Sequence, residues 1–130
     1  MSDDELIAGF ENASLPSESF HHSEHVRVAF LYLCRYSPLE ALQRFSTSLV
    51  QFASAKGKPQ LYHETITWAF LLLIRERMAR APGPQTWTQF AANNHDLLNW
   101  EDNVLKRYYQ AGTLSSDLAR HTFLFPDKTG

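Results

Sequence analysis

One cysteine in 130 residues leaves Cys34 without an intramolecular disulfide partner, so the fold has no covalent staple. Glycines number five and none sit in a Gly-rich phosphate-cradling pattern, which excludes nucleotide binding through the known loop motifs. Positive charge is also scarce. Twelve Lys and Arg against fourteen Asp and Glu give a net charge of -2, with the basic residues spread from Arg27 to Lys128, and such a chain sets up no field for a phosphate backbone. Nucleic acid is not an expected partner. The longest uninterrupted apolar run, Trp68 to Ile74, is far short of the about 18 to 20 residues of a membrane span, so no membrane partner is expected. Three acids in Met1-Ser2-Asp3-Asp4-Glu5 take the place of the positive stretch that begins a secretory signal, and a cytoplasmic location follows as the expectation.

What is present is bulky and apolar. Hydrophobic residues make up 44% and aromatics 13%, enough for a core, and the length suits one domain, 1–130. No two alternating runs are joined by Asn-Gly or Asp-Gly, whereas helix start and stop signals recur, so the expected fold is all-α: a compact bundle of five to seven helices. Ser2 caps a first helix over 3–11. A second begins at His22 or Ser23 and runs to Tyr36. Ser37-Pro38-Leu39-Glu40 opens a third, which Gly57 stops. The fourth, from Gln60 to Arg80, is apolar on nearly every side after its first turn and should be central. Thr86-Trp87-Thr88-Gln89 caps a short fifth, Asn99-Trp100-Glu101-Asp102 starts a sixth that Gly112 ends, and Ser115 or Ser116 caps a last turn through Arg120. The Phe123-Leu124-Phe125 tail should dock.

Four of the six histidines fall at two helix starts, Phe20-His21-His22-Ser23-Glu24-His25 and Tyr62-His63-Glu64-Thr65-Ile66-Thr67. At 100° per residue His22 shares a stripe with Val26, Ala29, Phe30 and Leu33, and His63 shares one with Thr67, Phe70 and Ile74. Both imidazoles should therefore look into packing. If the two helix starts meet, two chemistries are open. His22, His25 and His63, with Glu64 in reserve, have the residue types and spacing of a divalent transition-metal site, although no His-Glu-x-x-His motif is present. Alternatively His63 or His22 moves a proton, oriented by Glu64 or Glu24, between apolar walls at Phe20 and Trp68, with Thr65 and Thr67 as hydrogen-bonding groups. Against both stands the possibility that the histidines only cap helices and pin their register.

Arg107-Tyr108-Tyr109 and Ser116-Asp117-Leu118-Ala119-Arg120 form another constellation: Arg120 either pairs with Asp117 or, with Tyr109, holds a ligand carboxylate or phosphate. Arg75, Arg77 and Arg80 read as a solvated helix end, and Cys34 as an inert core residue. Taken together with Pro126-Asp127, the Phe-His-His-x-x-His and Tyr-His-x-Thr-x-Thr motifs resemble the pattern of a family of small all-helical bacterial proteins of uncharacterised activity. The resemblance implies a bacterial, cytoplasmic origin and no particular reaction. The expected function is thus a small enzyme or small-molecule-binding protein with a histidine pocket between the second and fourth helices. The alternative is a non-catalytic interaction or homo-oligomerisation module using Trp87, Trp100, Tyr108, Tyr109 and the Phe-rich tail as anchors.

Overall fold

Ser2 and Glu5 satisfy each other's backbone N–H groups, a capping box that starts α1 (Asp3–Glu11) in the computed structural model, which describes residues 1–128. Helices α2 (His22–Arg35), α3 (Pro38–Ala55), α4 (Glu64–Arg80) and α5 (Trp87–Asn93) follow, then two single turns, α6 (Ala111–Leu114) and α7 (Asp117–His121). The fold is all-α, and no strand occurs among the described residues. None of those helices is long and apolar enough to cross a membrane.

α2 and α4 share the centre. α4 packs on α2, α3 and α7, while α2 also touches α1 and α5. The Phe10 side chain of α1 is fully buried, with its ring centroid 4.9 Å from that of Phe20, 5.9 Å from Phe45 and 5.8 Å from Phe52. One aromatic cluster therefore joins α1, the start of α2 and α3. At the other end of α2, Phe30 packs on Phe90 and Trp87 of α5 at 4.8 and 5.7 Å. Burying each such ring is worth about 1.5–3 kcal/mol, so these contacts dominate the cohesion of the bundle.

The end of α3 sets up the cavity described below. Gly57 takes the left-handed conformation, φ 74°, while its N–H bonds Ser54 O and that of Lys58 bonds Ala53 O. This is a Schellman closure, which needs a residue free of the Cβ penalty at Gly57. Pro59–Leu61 then forms a 3₁₀ turn, and α4 starts four residues later than the pattern had placed it, because Tyr62 and His63 are extended. His63 is the N-cap.

The helix expected from Asn99 to Gln110 shrinks to a 3₁₀ turn, Val104–Arg107, preceded by another at His95–Leu98. Asn99 Oδ1 accepts from the Asp102 N–H and Asn103 Oδ1 from that of Leu105, so side chains compete with the helical ladder there. Gly112 lies inside α6 rather than ending a helix. Arg77 is not solvated: its guanidinium grips Asp96 through two bonds of 3.0 and 2.8 Å, Arg107 adds a third of 3.1 Å, and this fork pins the irregular segment to α4. Cys34 is exposed, a correction to its expected core position. The tail docks as expected: Phe123 stacks on Trp68 at 5.2 Å, and the Tyr109 hydroxyl donates to Leu124 O at 2.7 Å.

Candidate functional site

His22, His25 and His63 line one cavity of about 540 Å³, within the size range of small-molecule sites. Its walls come from three helices. α2 contributes His22, His25, Val26 and Ala29; α3 contributes Phe45, Leu49, Phe52 and Ala53; and α4 contributes His63, Ile66, Thr67, Phe70 and Ile74. The two stripes read from the sequence, 22-26-29 and 63-67-70-74, thus face the same space. Phe20 and Ser17 close one side, Trp100 covers another, and Lys56, Lys58, Leu61, Tyr62 and Arg120 stand around the remainder.

The three imidazoles are held differently. His63 Nδ1 accepts the Ile66 N–H at 3.1 Å, capping α4, which obliges the proton to sit on Nε2; that N–H donates to Leu114 O at 2.7 Å. Both nitrogens are committed. Burial lowers the His63 pKa, and the positive charge of Arg120 pushes the same way. His22 Nε2–H donates to Leu97 O at 2.8 Å, fixing its tautomer and leaving Nδ1 as an acceptor, with Phe70 and Trp100 rings 4.8 and 5.0 Å away. Burial lowers its pKa too, against the pull of the Leu97 carbonyl. His25 stacks on the Phe20 ring, with the centroids 4.2 Å apart. Burial drives its pKa down to about 4, with the neighbouring His22 adding to the fall. All three rings are therefore neutral at pH 7.

A metal centre does not assemble from these side chains. Among the described residues no group of three or more His, Cys, Asp or Glu is placed to hold a metal ion, and His63 has no lone pair to give. The carboxylates expected to orient a proton shuttle are also engaged elsewhere. Glu64 Oε1 accepts from the Tyr62 hydroxyl at 2.5 Å and the Trp68 indole at 3.1 Å, and Glu24 closes on the His21 N–H at 2.8 Å. Proton transfer by His63 with Glu64 as partner is thus replaced by a structural role for both. Tyr62 is itself held protonated, burial and Glu64 pushing its pKa up to about 12.

Thr67 lines the cavity, but its hydroxyl bonds back to His63 O at 2.7 Å. Thr65 is fully buried and turned to the C-terminal segment, where it reaches Ala119 O at 2.7 Å and receives the Leu124 N–H at 3.1 Å. Tyr109 is likewise spent on the tail, and Trp68 stacks there instead of walling the cavity. Arg120, by contrast, reaches the cavity. Its Nη1 donates to Gln60 O at 2.7 Å and to Tyr62 O at 3.3 Å, and Asp117 does not pair with it. Of the expected anchors of an interaction surface, Trp87 packs on α2 and Tyr109 is buried, whereas Trp100, which lies over His22, Tyr108 and, of the tail, Phe125 are exposed.

The sequence reading did not find the α3 wall or Trp100. Phe45, Leu49, Phe52, Ala53 and Lys56 follow helical spacing, so an amphipathic signal for the wall existed. Trp100 comes from an irregular segment and had none. No family model, curated protein or solved structure matches the chain, and the chemistry of the site follows from its own geometry.

Proposed function

We propose that this is a small-molecule-binding protein whose ligand occupies the cavity between α2, α3 and α4. The observation that carries the reading is the cavity itself: about 540 Å³ with largely apolar, aromatic walls and few polar groups, among them the open Nδ1 of His22, the pattern of a ligand site rather than of a packed core. A saturable, one-to-one titration with the neutral apolar dye phenylnaphthylamine tests it, read as energy transfer from Trp100, which lines the cavity. Ala53→Phe, which projects a ring into the space from α3, should abolish the signal without altering the helical circular dichroism. No saturable binding to the wild type, or binding unchanged in a folded Ala53→Phe variant, overturns the reading.

A small enzyme is the second reading, and His22 is what favours it. Its tautomer is fixed by Leu97 O and its Nδ1 is an open acceptor, the arrangement a general base needs. Under this reading His22 carries the proton, while His63 caps α4.

A further inference from the structure

The formal charges that border the cavity have one sign. Lys56, Lys58 and Arg120 line it, and no aspartate or glutamate does among the described residues, although acids outnumber bases in the chain. These cations are also unspent. Arg27, Arg35, Arg44, Arg77, Arg80 and Arg107 each pair with a carboxylate. Arg120 meets only main-chain oxygens, through one of its nitrogens, so its remaining donors have no protein acceptor among the described residues. Lys56 is steadied in the same way: its ammonium bonds Ala13 O at 3.0 Å and stands 5.2 Å over the Phe52 ring, with further donors to give. The Lys58 main chain is fixed by the Schellman closure after α3, and its side chain is exposed. Three cations from two stretches of chain, the turn after α3 and α7, therefore border a cavity whose remaining wall is neutral and mostly apolar.

We propose that the ligand is an amphipathic anion, a carboxylate or phosphate head on an apolar chain or ring. The head sits among Lys56, Lys58 and Arg120, and the apolar part lies along Phe45, Phe52 and Phe70. This assignment rests on the binding reading above. A cationic rim with an apolar interior recognises both halves of such a molecule, because charge-assisted hydrogen bonds select the head and burial of the tail supplies affinity.

The test compares decanoate, decyl phosphate, decanol and decyltrimethylammonium by calorimetry on the wild type and on Lys58→Gln and Lys56→Gln/Lys58→Gln. An anion should bind about tenfold or more tighter than decanol, the worth of one charge-assisted hydrogen bond, and the double variant should erase most of that preference while leaving decanol affinity unchanged. Lys58 is exposed, so the single variant keeps the fold and should show part of the loss. Equal binding of anions and decanol, preference for the ammonium compound, or a preference untouched by the lysine variants overturns the anionic assignment and leaves the cavity reading standing. Absence of binding by all four overturns both.

Discussion

Replacing His63 with alanine removes two bonds at once, and each has a separable magnitude. The ring is 7% exposed, caps α4 through Nδ1 and ties the helix start to Leu114 O through Nε2. Loss of an N-cap costs about 1 kcal/mol, and stranding a buried carbonyl costs about 1–3 kcal/mol, so His63→Ala should lose about 2–4 kcal/mol. Urea unfolding followed by far-UV circular dichroism would register this as a midpoint lowered by about 1–2 M, given the slopes usual for a chain of this size. His63→Asn separates the two terms. Asparagine can cap but cannot span to Leu114, so it should recover about 1 kcal/mol of the loss. A His63→Ala protein within about 0.5 kcal/mol of wild type would refute the structural role of the ring, because surface substitutions without special features have effects of that size. Asparagine no better than alanine would refute the capping half.

Acid should unfold the protein in two separable stages. His25 has its pKa pushed from 6.5 down to about 4 by burial, so the unfolded chain takes up that proton first; the associated stability is complete above about pH 6.5 and drains as pH falls towards 4, by about 3 kcal/mol. His22 and His63 are lowered in the same sense and deepen the fall, and urea midpoints that stay flat between about pH 7 and 4.5 would count against burial of these rings. Asp96 acts later: hydrogen bonds from Arg77 hold its pKa at about 2, below the ordinary 3.8, so its contribution is present above 3.8 and vanishes as pH drops through 2. Asp96→Asn should cost about 1–2 kcal/mol at neutral pH and flatten the lower acid limb, leaving the histidine limb in place; loss of both limbs would contradict the separation.

Periodicity carried most of the architecture because α1 to α5 are long enough, or capped strongly enough, for local signals to agree with packing. The Ser2, Ser37 and Thr86 caps accept the N–H groups that their spacing implies. The same reasoning brought His22 and His63 to one space. It failed between Asn99 and Gln110, where side-chain amides capture backbone N–H groups and the decision depends on geometry over two or three residues. It also failed for Thr65 and Tyr109. Their partners, Ala119 O and Leu124 O, lie 54 and 15 residues away, and no spacing rule reports which carbonyl a hydroxyl will meet. Arg120 was legible as a candidate residue of the site, but no spacing rule placed it beside Lys58, which reaches the cavity through the turn after α3.

An apolar cavity invites collapse, because hydrophobic contact is non-directional and neighbouring side chains gain by closing over a void. Hydrogen bonds behave differently, for they fix both length and direction. His63 to Leu114 O and His22 to Leu97 O each join the start of a central helix to a short turn distant in sequence, the end of α6 and the 3₁₀ turn His95–Leu98. Such ties fix the starts of α2 and α4 at the end of the bundle where the cavity lies. Apolar residues at these two positions would forfeit both ties, and at position 63 the α4 cap as well, leaving Leu114 O and Leu97 O without these partners. Histidine meets both demands with one side chain: its ring face adds to the apolar wall, its edge supplies the tie, and its low pKa keeps charge out of the interior. The cationic side chains are then confined to Lys56, Lys58 and Arg120, and the contrast between a neutral wall and those charges gives the cavity its polarity.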